Sequence, residues 1–93
     1  MATVKLFGGL RNLGAAPVND VEGQTVRAVI LALCAENTAL KEAIFDGDVL
    51  RPHVRVMIDG RDIELAEGLE TPLTGNEQVA IFPPIAGGDN EST

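Results

Sequence analysis

The spacing of hydrophobic residues changes twice along this chain. Val4 and Leu6 occupy alternate positions near one end, and Val79 and Ile81 do the same near the other. This alternation places Phe7 and Phe82 on the opposite face of the sheet. Such alternation predicts strands that bury one face, whereas the three- and four-residue spacing between them predicts an amphipathic helix. A chain of 93 residues has room for one hydrophobic core. We therefore predict a single α+β domain in which one main helix packs across one face of a sheet.

The strands are predicted from alternation and from the turns that separate them. They cover residues 3–7, 18–21 and 54–58, a stretch with Ile63 and Leu65, and residues 79–82. Asp59-Gly60 separates the third strand from the fourth, and this dipeptide favours a tight antiparallel hairpin. Pro83-Pro84 ends the last strand, because proline cannot donate a ladder hydrogen bond. We expect a mixed sheet of four to five strands whose first and last strands are parallel neighbours.

Two helices are predicted between the second and third strands. The first runs over residues 25–36 with Thr25 as its N-cap, and the second is short, begins at Asn37-Thr38 and ends before Gly47. Their core-facing positions are predicted to be Val26, Ile30, Leu33, Leu40 and Ile44. Asn37 and Thr38 are unfavourable inside a helix, but either residue can cap the start of the second one.

Composition excludes several classes of function. Seven Lys and Arg against fourteen Asp and Glu give a net charge of -7, and only 3% of residues are aromatic. This charge opposes binding to nucleic acid, and the few aromatic residues offer no platform for base stacking. A basic protein partner suits the overall charge better.

Cysteine and histidine are equally scarce. The single Cys34 excludes an internal disulfide and a cysteine-rich zinc site, and we expect it to be a buried core residue. His53 has no second histidine to share a metal, so no metal site is predicted. We find neither a signal peptide nor an apolar run long enough to cross a membrane, and we expect a cytoplasmic protein without a membrane partner.

The C-terminal segment differs from the rest of the chain. Residues 1–86 are predicted to form the domain, and residues 87–93 a flexible tail made of Gly87-Gly88 and a five-residue extension. Glycine has no Cβ, so it allows close approach to a partner and unusual backbone angles.

The order of elements, together with the closing run, resembles a known family. The features that carry the likeness are Val4-Lys5-Leu6-Phe7 with Leu10-Arg11, the helix from Thr25, Arg51 to Val56 with Asp59 to Ile63, Thr71-Pro72-Leu73, and Phe82-Pro83-Pro84-Ile85-Ala86-Gly87-Gly88. They resemble the MoaD-like and ThiS-like sulfur-carrier proteins, nearest to the small subunit of molybdopterin synthase. These are ubiquitin-like proteins with a β-grasp fold, and the likeness covers residues 3–88.

The resemblance implies a carrier that is not itself an enzyme and binds no cofactor. A ubiquitin-activating-type adenylating enzyme would use ATP to adenylate Gly88, and a sulfur donor would then convert it to a thiocarboxylate. The sulfur would pass to an acceptor synthase, either the molybdopterin synthase large subunit or another sulfur-using enzyme. The resemblance also implies docking through the outer sheet face, with Phe7, Phe82, Pro83 and Ile85 as contact residues. Asp62 stands where some relatives have an apolar residue, which implies a smaller patch or a more basic partner.

One feature departs from the family pattern. Gly88 is followed by Asp-Asn-Glu-Ser-Thr, so its carbonyl belongs to a peptide bond and cannot be adenylated. We expect a precursor that a tail-processing protease cleaves between Gly88 and Asp89. Two alternatives remain: a ubiquitin-like modifier conjugated through Gly88, and a β-grasp binding subunit that is never processed.

Overall fold

The computed structural model describes residues 1–13 and 16–83. Its strands are β1 (Ala2–Leu6), β2 (Val18–Val21), β3 (Phe45–Asp46), β4 (Val49–Leu50), β5 (Arg55–Ile58), β6 (Arg61–Asp62) and β7 (Gln78–Phe82). Its α-helices are α1 (Val26–Leu33) and α2 (Thr38–Ile44), and short 3-10 helices cover Gly8–Asn12, Ile63–Leu65 and Gly68–Glu70. The proposed domain boundary at residue 86 lies outside the described residues and stays a prediction.

The main sheet has five strands in the order β2-β1-β7-β5-β6. β1 pairs in parallel with β7, as predicted, while β2 and β5 run antiparallel to these central strands. Val4 lies opposite Val79, and Leu6 lies opposite Ile81. All four side chains are at most 2% exposed and form the core with the inner face of α1. The predicted β-grasp fold is confirmed, because α1 covers one face of the mixed five-stranded sheet and leaves the other face open.

Helix α1 begins as predicted but ends earlier. The Thr25 hydroxyl accepts a hydrogen bond from the Ala28 amide at 3.1 Å, which caps the helix. The prediction of helix through residue 36 was wrong. After Leu33 the chain enters a turn, and the Asn37 side chain accepts from the Leu40 amide at 3.0 Å, so this residue starts α2 instead.

The early end of α1 also changes the core. Leu33, predicted to be a core position, is only partly buried, whereas Val29 and Ile30 are fully buried. α1 ends at Leu33, so the next core residue along the chain lies in the turn that follows the helix. Cys34 occupies that place and is 3% exposed, which confirms its predicted burial.

Two further regions differ from the sequence prediction. A small hairpin of β3 and β4 follows α2 and turns at Gly47, which has a φ of 68°. The expected strand through Ile63 and Leu65 was wrong, because β6 ends at Asp62 and a 3-10 helix follows. The Asp62 side chain accepts from the Glu64 amide at 2.9 Å, and this cap ends the extended conformation.

The turn before β7 is organised by Glu77. Its carboxylate accepts from the amides of Thr74, Gly75 and Asn76 at 2.7 to 3.1 Å and from the Thr74 hydroxyl at 2.8 Å. These donors favour the charged form and lower the pKa of Glu77 from 4.5 to about 2. The carboxylate therefore stabilises the fold above its unfolded pKa, and this stabilisation is lost as the pH falls from 4.5 towards 2.

We expect Glu77→Gln to lower the free energy of unfolding at neutral pH, with a difference from the parent protein that shrinks below pH 4.5. Urea unfolding at a series of pH values measures this difference. Glu64→Gln, at an exposed acid away from this turn, is the control. A difference that is the same at neutral and acidic pH would show that the charge of Glu77 is not what stabilises the turn.

Candidate docking site on the open sheet face

The open face of the sheet carries two stacked aromatic rings. Phe7 directly follows β1, and Phe82 ends β7, so both point away from the face that Leu6 and Ile81 bury. Their ring centroids lie 4.5 Å apart at an interplanar angle of 16°. Phe7 is 37% exposed, and Phe82 is partly buried. The structure thus confirms the face predicted by alternation, while the docking role of the two rings stays a prediction.

The backbone around the rings is closely fitted. The Phe7 amide donates to the Ile81 carbonyl at 3.1 Å, which extends the pairing of the two central strands as far as the aromatic residue. Gly8 has a φ of 59°, and a Cβ at this position would lie 2.8 Å from Cγ of Pro83. Only glycine fits without displacing Pro83, so Gly8 has a role that its sequence position, at the end of a strand, did not indicate.

An open groove of about 680 Å³ lies beside the ring stack. Its lining consists of Phe7, Gly8, His53, Arg55, Met57, Phe82 and Pro83. Of these, Phe7, Phe82 and Pro83 were predicted as docking residues, and the other four were not. Because Val56 is buried, alternation places its neighbours Arg55 and Met57 on the outer face. Their position beside the rings depends in addition on the register of β5 against β7, in which Arg55 lies opposite Phe82.

One ion pair borders this groove. The Nε and Nη2 atoms of Arg55 both lie 2.8 Å from Oδ2 of Asp62. The Arg55 side chain is 65% exposed, whereas that of Asp62 is only 12% exposed. Asp62 therefore holds the arginine at the edge of the apolar groove, while the smaller patch or more basic partner that the resemblance implied for this residue stays a prediction.

The single cysteine does not lie at the groove. Cys34 lies in the core, where burial raises the pKa of its thiol, an effect that nearby Lys41 partly opposes. Within residues 1–13 and 16–83, no group of three or more His, Cys, Asp or Glu is placed to hold a metal ion.

The predicted tail residues Ile85, Gly87, Gly88 and Asp89 lie outside the described residues, so their roles stay predictions. Pro83 is the last residue that the structure describes, and it lines the groove. The chain therefore leaves the sheet directly beside the stacked rings.

Comparison with known proteins identifies the family. The sequence matches the ThiS family over residues 4–88. The chain belongs to the ThiS family. The small archaeal modifier protein 3 of Haloferax volcanii is 36% identical to this ThiS family member over 64 residues, which cover 69% of this chain and 70% of the relative. A protein of Archaeoglobus fulgidus with the provisional name of a sulfur carrier is 37% identical over 71 residues, which cover 74% of this chain and 80% of that protein.

The fold is likewise that of the solved structures of this group. The small archaeal modifier protein 1 of Methanosarcina acetivorans superposes with a TM-score of 0.85 and is 36% identical, with 94% of this chain and 95% of that chain covered. This ThiS family member is therefore similar along nearly its whole length to one protein named as a modifier, and over about three quarters of its length to one named as a sulfur carrier. No helix within the described part of the chain is long and apolar enough to cross a membrane.

Proposed function

We propose that this ThiS family member is a sulfur carrier made as a precursor, cleaved after Gly88, and then adenylated and thiocarboxylated at that glycine. The observation that carries the proposal is the extent of the family match, which ends at residue 88 and leaves five residues beyond it. The part of the chain that resembles the family thus stops at the glycine whose carboxylate the chemistry requires.

The proposed chemistry has three steps, and none needs a reactive side chain of this protein. A protease hydrolyses the peptide bond between Gly88 and Asp89, which gives Gly88 a free carboxylate. A carboxylate oxygen then attacks the α-phosphorus of ATP on an adenylating enzyme, and pyrophosphate leaves. Hydrosulfide from a sulfide source then attacks the acyl carbon of the resulting mixed anhydride, the bond from that carbon to the AMP oxygen breaks, and AMP leaves with a thiocarboxylate remaining on Gly88.

The length of the segment after the stacked rings suits docking and adenylation on the same enzyme. The segment from Ile85 to Gly88 spans about 13 Å when extended, at about 3.3 Å per residue. This length lets the carboxylate enter a nucleotide site while the Phe7–Phe82 stack stays docked on the enzyme surface. An acceptor synthase then takes the sulfur, and molybdopterin synthesis is one pathway that such an acceptor serves.

We expect Phe82→Ala to weaken binding to the adenylating enzyme by more than about 1 kcal/mol, since it removes one of two stacked rings at the centre of the face. Isothermal titration calorimetry measures the affinity. Leu65→Ala is the matched control, because Leu65 is 74% exposed and lies outside the groove. Undiminished binding by a folded Phe82→Ala protein would remove that residue from the interface.

A protein modifier is the second candidate, because two similar proteins are named small archaeal modifier proteins. In that function the activated carbonyl of Gly88 is attacked by a lysine amine of another protein, and an isopeptide bond replaces the bond to the leaving group. Both functions use the same activated glycine.

An immunoblot of a denatured lysate of the host organism distinguishes the two. A carrier runs as a single small species, whereas a modifier adds a ladder of larger conjugates that Gly88→Ala abolishes. A ladder that depends on Gly88 would overturn the proposal that sulfur transfer is the only function. A β-grasp subunit that is never processed would appear only at the mass of the uncut chain.

A further inference from the structure

The charge near the ring stack differs from the charge of the whole protein. The net charge of -7 favours a basic partner, but none of the described residues that line the groove beside Phe7 and Phe82 is acidic. The charged member of the lining is Arg55, and His53 also lines the groove. The charge of Arg55 is balanced by its ion pair with Asp62, but the guanidinium is far more exposed than the carboxylate and is the charged group that a partner would meet here.

Two acidic residues on the outer face have hydrogen-bond partners within the protein. The register places Asp20 beside Thr3 and Asp62 beside Met57 on this face. Asp20 accepts from the Thr3 hydroxyl at 3.1 Å, and Asp62 accepts from Arg55 and from the Glu64 amide. Neither acid lines the groove.

Arg55 is held in a fixed place with donors to spare. A guanidinium has five N–H donors, and only Nε and one N–H of Nη2 are directed to Asp62. The side chain is 65% exposed, so its other donors are accessible at the rim of the groove. A planar guanidinium that is already positioned loses little entropy when it binds a carboxylate.

We propose that Arg55, positioned by Asp62, determines which partner this face accepts by binding a carboxylate of that partner. The partner segment places an apolar side chain against the Phe7–Phe82 stack and an Asp or Glu on the guanidinium. The inference rests on the proposed function, because it describes how the adenylating enzyme of the host recognises this chain. It also reverses the expectation of a basic contact from net charge.

The test compares two substitutions of one residue in the full chain. We expect Arg55→Gln to weaken the affinity for the host's adenylating enzyme by about tenfold, the range of one charge-assisted hydrogen bond. Arg55→Glu should weaken it further, because it places like charges together. If the partner contact is basic, Arg55→Glu binds more tightly than the parent protein, and the proposal is overturned.

The control is the other ion pair among the described residues. Arg27 Nε lies 2.7 Å from Oε2 of Glu70, and Arg27 is on α1 rather than on the open face. Arg27→Gln therefore removes an ion pair of the same kind, and the affinity of the folded protein should not change. An equal loss for Arg27→Gln and Arg55→Gln would mean that net charge or stability, and not a contact at the groove, sets the affinity.

Asp62→Asn tests the positioning role. Asparagine keeps an acceptor for the Glu64 amide, but it removes the charge that holds Arg55. We expect faster dissociation of the complex, measured by surface plasmon resonance, with little change in the melting temperature of the free protein. An unchanged dissociation rate would show that Asp62 does not position Arg55 for binding.

Two results separate this inference from the proposed function. If the parent protein binds the adenylating enzyme and Arg55→Gln binds equally well, the inference fails and the carrier function stands. If the parent protein does not bind the enzyme at all, the proposed function fails and the inference fails with it.

Discussion

A form of this protein that ends at Gly88 is expected to be activated by the host's adenylating enzyme, whereas the form that continues through Thr93 is expected to be inert. Attack on ATP requires an ionised carboxylate, and in the longer form residue 88 has only a neutral peptide carbonyl. The extension also adds Asp89 and Glu91, whose charges would lie near the triphosphate and be repelled by it. The expected difference is therefore between full activity and none.

The measurement is the mass of each form after incubation with the enzyme, ATP and a sulfide source. The form that ends at Gly88 should gain the mass difference between one sulfur and one oxygen. Gly88→Ala in the same short form is the control, because the added methyl group hinders a tail that must enter a narrow channel. Equal thiocarboxylation of the long form would contradict the need for cleavage.

The second large effect concerns the core. Ile30→Ala should lower the free energy of unfolding by about 2 to 5 kcal/mol, because Ile30 is fully buried against the sheet. Leu33→Ala should cost clearly less, since Leu33 is only partly buried at the end of α1. Urea denaturation of both variants gives the comparison, and their circular dichroism spectra show whether each is folded.

This pair of substitutions tests which side of α1 faces the sheet. If Leu33 were a core position like Ile30, as its spacing predicted, the two losses would be similar. Equal losses would therefore contradict the partial burial of Leu33 at the end of α1.

Sequence spacing predicted the parts of the fold that repeat over several residues. Alternation in residues 3–7 and 79–82 predicted the two strands and the outward direction of Phe7 and Phe82, and the connection rules predicted that these strands pair in parallel, as observed. The hairpin of β3 and β4 was missed because its strands have two residues each, too few for a period to appear. Asp62 ended a predicted strand because its side chain caps a 3-10 helix, a local hydrogen bond that alternation does not detect.

The candidate site was predicted only in part for a related reason. The ring stack follows from alternation, but the groove also requires the order of the strands, which brings Arg55 beside Phe82 although they are far apart in sequence. The pairing of Arg55 with Asp62 spans seven residues across a turn and follows no helical or strand period. It becomes visible only when β5 and β6 are placed together.

The central claim is that Gly88 carries sulfur after the extension has been removed, and the intact mass of the protein purified from its native host tests it most directly. We predict a chain that ends at Gly88, lacks Asp89 to Thr93, and in part carries sulfur in place of one carboxylate oxygen. A native protein that keeps all five residues of the extension and carries no sulfur would contradict it.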